Sequence, residues 1–290
     1  MCETAVSKRD WLAFEGGPLT TRLDRFAASL DYGAEGRIRH PMQKRLTIIG
    51  VNFTDLPFDE AGRLLSDATA GAGRKTVFFA NAATLNLAAR DPAYKRSLNA
   101  ADLVFGDGTG VRWAARLRSV RLQANLNGTD VVPALIRSRP GLRVFMLGAT
   151  AAVAEQAARR FPTLFPGAEL VGRHHGYFDH SHPGDVIEQI NSSRPDLLLV
   201  GFGNPLQEQF IIANRDALRV PLVAGVGGLF GFWAGTRTRA SATLRRAGME
   251  WIHILFTETG KKKRYLLGNP AFLMRMVLWL PVDCLPRKSV

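Results

Sequence analysis

From Leu46 onward, short apolar runs alternate with stretches of helical period, and this alternation constrains the fold more than any other feature of the chain. The runs are LTIIGV (46–51), TVFFA (76–80), DLVF (102–105), RVFMLG (143–148), AELVG (168–172), DLLLVGFG (196–203) and VPLVAGV (220–226). Several are apolar on both faces, as strands covered on both sides must be. Helical patterns fall between them, near 58–70, 84–99, 109–117, 129–138, 150–161, 184–193 and 205–216. The order predicts a single α/β domain over 45–236, Rossmann-like, with a mainly parallel sheet and helices on both faces. Residues 1–44 show no lasting period and read as a poorly ordered N-terminal extension. Residues 237–290 read as a basic, amphipathic C-terminal appendage: Arg245, Arg246, Lys261, Lys262, Lys263 and Arg264 accompany Trp251, Ile252, Leu255 and Phe256 at helical spacing.

Charge narrows the choice of partner. A formal charge of +13 on 290 residues calls for an anionic partner, whether nucleic acid, acidic lipid or a phosphorylated substrate. The basic residues concentrate in the C-terminal segment without the interleaved aromatic and basic strand of nucleic-acid modules, which argues against nucleic acid. Cys2 and Cys284 are the only cysteines and lie near opposite ends, so there is neither a disulfide framework nor a paired metal-ligand spacing, and a reducing cytoplasm fits best. The start has no signal-peptide pattern, and no segment offers about 20 apolar residues for a spanning helix. The apolar tail NPAFLMRMVLWLPVDCLP suits either a membrane interface or packing on its own domain or on a second subunit, as in a homo-oligomer.

In a parallel α/β sheet, ligands bind where the loops gather at the carboxyl ends of the strands. The polar and glycine-rich signals fall there: Asn81, Gly106 to Gly108, Gly148 to Thr150, Gly201 to Pro205, and Gly225 to Gly228. Four of the six histidines lie in RHHGYFDHSH (173–182), but adjacent histidines project apart and no helical H-x-x-x-H pair occurs, so the stretch reads as a polar loop and no metal is assigned. In GFGNPLQEQF (201–210), Asn204 is a candidate cap, Pro205 suits the first helical position, and Gln207 stands where its amide can reach back to the cap; the same helix start can present N–H groups to a ligand. GDGTG (106–110) is neither a dinucleotide fingerprint nor a Walker loop, because it lacks the third spaced glycine and the Gly-Lys-Ser/Thr ending. Two readings of Asp107 stay open: a cap for the helix starting near Thr109, or a carboxylate held at the rim to accept a proton.

The ordered set NAATLNLA (81–88), ADLVFGDGTG (101–110), NGTD (127–130), VFMLGAT (144–150), GRHHGYF (172–178), VGFGNPLQEQF (200–210), GVGGLFGFWAG (225–235) and MEWIHIL (249–255), with KKKRY (261–265), resembles the WecG/TagA/CpsF glycosyltransferases, glycosyltransferase family 26. The match runs from about residue 46 to 268. The resemblance implies an inverting, metal-independent transferase without a cofactor, moving a hexose-type sugar (N-acetylmannosamine, its uronic acid, or glucose) from a UDP-sugar to a polyprenyl-diphosphate-linked glycan acceptor. It implies surface polysaccharide or exopolysaccharide synthesis at the inner face of the cytoplasmic membrane, with the appendage meeting the anionic membrane surface.

By the same resemblance, Asp107 is the candidate base. Thr84 and Asn86 are candidates for the sugar pocket, and Gln207 for a substrate-binding amide. Asn81, Gly108, Asn127, Asp130 and Gly148 join the candidate substrate-binding set, as do Gly203, Asn204, Glu208 and Gly227. Lys261 and Arg264 occupy positions where the family often has Arg and would face the departing UDP. The chain departs from the family at Ile254, where an Arg is usual, at Glu258-Thr259 for Glu-Pro, and at Arg239-Ala240-Ser241 for Arg-Ala-Pro. These departures motivate a rival reading, a non-catalytic nucleotide-sugar-binding subunit of a polysaccharide assembly complex.

Overall fold

The computed structural model describes residues 44–71, 73–241, 243–244 and 262–279; for 44, 262–267 and 269 it describes the backbone only. The N-terminal extension up to residue 43 and the basic stretch 245–261, with Lys261, Ile254 and Glu258-Thr259, lie outside the described residues, as does the side chain of Arg264.

Six strands form one wholly parallel sheet in the order β4-β3-β8-β7-β5-β6. They are β3 (Lys75–Ala80), β4 (Leu103–Gly106), β5 (Arg143–Gly148), β6 (Glu169–His174), β7 (Leu197–Gly201) and β8 (Leu222–Gly225). The expected strand at 46–51 is instead the centre of an antiparallel hairpin, β1 (Lys44–Ile48) and β2 (Val51–Asp55). Ile49 and Gly50, at φ 52° and 76°, make a two-residue turn with both φ values positive, so one apolar run folds back on itself. Strand β2 packs beside the edge strand β4.

Helices cover both faces. On one side of the sheet lie α2 (Ala82–Ala88), α3 (Pro92–Asn99), α4 (Thr109–Leu117), α7 (Gly184–Ser192) and α8 (Leu206–Ala213), whose Leu85, Tyr94, Val111, Ile190 and Ile211 share a core with Phe78, Val104, Leu198 and Val200. On the other lie α1 (Phe58–Thr69), α5 (Gly128–Ser138), α6 (Ala151–Leu164) and α9 (Leu229–Ala234), whose Leu65, Val132, Phe161 and Trp233 share a core with Val77, Phe105, Met146 and Leu199. The expected helix at 84–99 is two helices. Asp91 starts the second by accepting from the N–H groups of Ala93 and Tyr94, and Pro92 fits the first turn, where no N–H is needed. Helix α9 was not expected, because six residues following a glycine pair carry too short a period to read. The C-terminal helix α10 (Lys262–Trp279) lies across α2 and α4, with Phe272 and Met276 buried in the first core.

Strand direction of travel fixes the crevice. β5 leads into α6 on one face, and its neighbour β7 leads into α8 on the other, so the loops part between them. That divergence is the switch point at which α/β sheets bind ligands.

Candidate active site

Strand order arranges the rim from one edge to the other: the Asp107 turn after β4, Asn81 after β3, Val226 to Gly228 after β8, Phe202 to Pro205 after β7, and Ala149 after β5, with the loop after β6 beyond it.

Asp107 extends the ladder past the end of β4, its N–H donating to Ala80 O at 2.9 Å. The next N–H, of Gly108, donates to Asn125 Oδ1 at 2.7 Å, and Leu126 N–H donates to Gly106 O at 3.1 Å. The two peptides that flank Asp107 are thereby pinned. The cap of α4 is Gly108 itself, at φ 87°, a conformation that suits glycine, so Asp107 sits one residue before the cap and the capping reading fails. The start of α4 presses on the start of α2: a Cβ on Gly110 would lie 2.8 Å from Ala82 Cβ and 3.5 Å from Phe272 of α10. The Asp107 and Asn81 turns therefore adjoin beneath the C-terminal helix.

Asn81 caps α2, its Oδ1 accepting from Ala83 N–H (3.0 Å), Thr84 N–H (3.2 Å) and the Thr84 hydroxyl (3.3 Å). Thr84 is buried and serves this cap. Asn86 is turned to the C-terminal helix: its Nδ2 donates to Gly268 O at 2.7 Å, and its Oδ1 accepts from Arg275. In this arrangement Thr84 supports the turn at Asn81, and Asn86 ties α2 to α10.

Gln207 ties two rim loops. Its Oε1 accepts from Gly227 N–H at 2.9 Å and Gly203 N–H at 3.3 Å, and its Nε2 donates to Glu208 Oε1 at 2.8 Å. It reaches back past the cap, and Asn204 does not cap α8 either, since its Nδ2 donates to Tyr94 Oη and Glu208 Oε1 at 2.8 and 2.7 Å. Pro205 stands at the cap position and Leu206 opens the helix. Glu208, with no exposed surface, faces these amides from below the rim. Buried polar groups cost several kcal/mol unless bonded, so this amide–carboxylate cluster fixes the relative position of the β7 and β8 loops at about that stake.

Asn127 and Asp130 act on one another and on the segment leading to the appendage. Asn127 Nδ2 donates to Asp130 Oδ2 at 2.8 Å, and Arg239 Nη1 pairs with Asp130 Oδ1 at 2.5 Å. Arg239, whose side chain is 10% exposed, thus anchors residues 236–240 to the start of α5.

At the switch point, Gly148 and Gly201 bring two strand ends together so tightly that a Cβ on Gly148 would sit 2.5 Å from Gly201 O. Beside them opens a cleft of about 440 Å³, lined by Ala149, Gly176, Tyr177, Phe178, His180 and Phe202, among others. That volume lies within the range of small-molecule sites, roughly 300–1,000 Å³. His180 stacks on Phe202, with centroids 4.6 Å apart, while its Nε2–H donates to Gly176 O at 2.9 Å; Tyr177 stands 75% exposed at the mouth. The other histidines serve the loop as well. His174 Nδ1–H donates to His175 O, and His182 pairs with Asp179, whose carboxyl the Ser181 hydroxyl, His182 and the Ser181 N–H hold down at about 2. Among the described residues no group of His, Cys, Asp and Glu is placed to hold a metal.

Sequence reasoning missed Asn125, Tyr177, His180, Phe202 and the Asn86–Arg275 contact. Tyr177 lay within a recognised motif, whereas a lone loop asparagine such as Asn125 gives no periodic or spacing signal.

A doubly wound parallel sheet with a cleft at its switch point places a ligand site where open α/β sheets bind their ligands. The profile of the glycosyl transferase WecG/TagA/CpsF family matches residues 46–282, and the chain belongs to that family and is a glycosyltransferase. Among curated proteins, one from Bacillus spizizenii is 32% identical over 181 residues, covering 62% of this chain and 70% of the relative. One from Staphylococcus aureus is 28% identical over 213 residues, covering 72% of this chain and 83% of the relative. Both carry the name N-acetylglucosaminyldiphosphoundecaprenol N-acetyl-beta-D-mannosaminyltransferase.

Proposed function

We propose that this chain transfers a hexose-type sugar, N-acetylmannosamine first among the candidates, from a UDP-sugar to a polyprenyl-diphosphate-linked glycan acceptor, with inversion and without a metal, in surface polysaccharide synthesis at the inner face of the cytoplasmic membrane. The relatives' names support the acceptor class and the sugar. A β linkage formed from an α-linked nucleotide sugar fits inversion in one displacement.

One observation carries the reading: the spacing between the cleft and the Asp107 turn. β4 and β7 are separated by β3 and β8, so the turn and the cleft lie three strand spacings apart, about 14 Å. An extended nucleotide sugar covers a similar length. With the nucleoside in the cleft beside Tyr177 and Phe202, the diphosphate runs over the β7 and β8 loops and the sugar reaches the β3–β4 end. There the Asp107 carboxylate takes the proton from the acceptor hydroxyl as its oxygen bonds to the anomeric carbon. The bond from that carbon to the UDP oxygen breaks in the same step. One ionised carboxylate suffices, because no covalent intermediate forms. The UDP gains charge as it leaves, and Lys261 and Arg264 of the appendage are its proposed counter-charges.

The test supplies purified protein with a panel of UDP-sugars and polyprenyl-diphosphate-linked N-acetylglucosamine, and follows UDP release, glycolipid mass and anomeric configuration. One donor should give a β-linked disaccharide lipid. Thermal stabilisation by a UDP-sugar with no transfer to any lipid acceptor would favour the non-catalytic subunit instead.

A further inference from the structure

Among the described residues, the exposed large apolar side chains are not scattered. Trp113 (48% exposed) and Leu117 lie on α4, and Leu273, Met274, Val277 and Leu278 (78%) lie on α10; only Tyr177 and Leu206 lie elsewhere. The two helices touch. Phe272 of α10 reaches Gly110 of α4, and the Arg118 guanidinium at the end of α4 lies 4.2 Å over the ring of Trp279 at the end of α10. On α4 the exposed residues are Arg112, Trp113, Arg116 and Leu117, one turn apart, so a single helical face mixes basic, aromatic and aliphatic groups. No acidic residue occurs between Asp107 and Asp130, where Arg112, Arg116, Arg118 and Arg121 fall, and none occurs in α10. No described helix is long and apolar enough to cross a membrane.

We infer that the outer face of α4, a helix of the sheet domain itself, forms one continuous docking surface with α10 and seats it on an anionic lipid bilayer. An aromatic–apolar face rimmed by arginines and free of acids is what an interfacial helix presents, the apolar groups entering the headgroup boundary and the cations meeting lipid phosphates. A soluble partner protein would not require the absence of every acid across two helices. α4 begins at Thr109, two residues after Asp107, and its first turn is clamped between α2 and α10. Seating α4 on the lipid therefore sets the carboxylate turn at headgroup depth, where the diphosphate of a lipid-linked acceptor lies. This last step rests on the transferase reading above; the docking surface does not.

The experiment compares the full chain with Trp113→Ser/Leu117→Ser and with Arg112→Ser/Arg116→Ser, measuring binding to vesicles of pure phosphatidylcholine and of phosphatidylcholine with about one-third phosphatidylglycerol. All four side chains are exposed, so thermal stability should be unchanged. The apolar pair should weaken binding to the anionic vesicles about tenfold or more. The arginine pair should remove most of the preference for anionic over neutral vesicles. Brominated acyl chains should quench tryptophan emission of the wild type more than that of Trp113→Phe. Wild-type affinity in both double variants, or equal quenching in Trp113→Phe, overturns the inference. So does a shift from dimer to monomer in the apolar variant with vesicle binding intact, which would make the face a contact between copies of this chain. Transfer to a short-chain, water-soluble acceptor is measured alongside and should be equal in all variants; its absence in the wild type would count against the transferase reading while the vesicle results still decide the docking surface.

Discussion

An aspartate flanks strand β4 at each end, and the surroundings of the two differ. Asp102, at the start, accepts from Thr76 N–H at 2.7 Å and the Thr76 hydroxyl at 3.0 Å, and pairs with Arg215 through both oxygens. Burial pushes its carboxyl up, but the Thr76 donors and Arg215 outweigh that and leave it below the ordinary carboxylate value. The carboxylate itself is the linchpin there, joining β3, β4 and the end of α8. At the far end the backbone on either side of Asp107 is bonded: its own N–H donates to Ala80 O, the N–H of Gly108 to Asn125, and Gly106 O accepts from the N–H of Leu126. The amino end of the sheet uses side-chain charge to stabilise the fold. The carboxyl end holds the turn that carries its aspartate through bonded peptides.

This contrast is sharpest in matched substitutions. Asp107→Asn removes the proton acceptor while keeping shape, and turnover should fall by about 10²- to 10⁴-fold with an unchanged melting temperature and retained UDP binding. Wild-type turnover would remove Asp107 from the mechanism. Asp102→Asn should do the reverse, costing about 1–2 kcal/mol at pH 7, since Arg215 is part-exposed and solvent screens the pair, with turnover per folded molecule intact. Because the folded-state value of Asp102 is depressed, its contribution is fully present above the ordinary carboxylate value, near 4, and is lost as pH falls through the folded value. Denaturant melts of the two proteins should therefore converge on acidification; a gap that stays constant to pH 3 would show that shape, not charge, is what the site needs.

How much of this was legible in the sequence follows from range. Strands β3, β4, β5, β7 and β8 were read because burial on both faces leaves uninterrupted apolar runs, a local signal, and the edge strand β6, nowhere fully buried, from the short run at 168–172. The hairpin at 44–55 was misread as one strand because its turn residue, Ile49, is itself apolar, and nothing in composition reveals a positive φ. The rim was found as a set of loops, but the tasks of its residues were not. Glu208 turned out to accept from the amides of Asn204 and Gln207, Gln207 to accept from the Gly203 and Gly227 peptides, Asn204 to reach Tyr94, and Asn86 to bond a helix beginning at residue 262, contacts that depend on where distant elements land. Asp130 met Arg239 in the same way, across 109 positions.

The smallest effect tests the hold on the Asp107 turn. Asn125 bonds the Gly108 peptide next to Asp107, so Asn125→Ala deletes that hydrogen bond, and kcat should drop about five- to tenfold, the rate equivalent of roughly 1–1.4 kcal/mol, with the donor KM unchanged. Asn125→Asp keeps an oxygen for that N–H and should restore the lost rate at high pH. It also brings a second negative charge toward the candidate base, and a like charge disfavours ionisation, so the acid limb of the kcat/KM profile should move to higher pH. A role confined to stability would lower the melting temperature of both variants and leave that limb in place. A shifted limb in Asn125→Asp with an unshifted one in Asn125→Ala separates the two explanations, because only a carboxylate working beside this loop can feel the added charge.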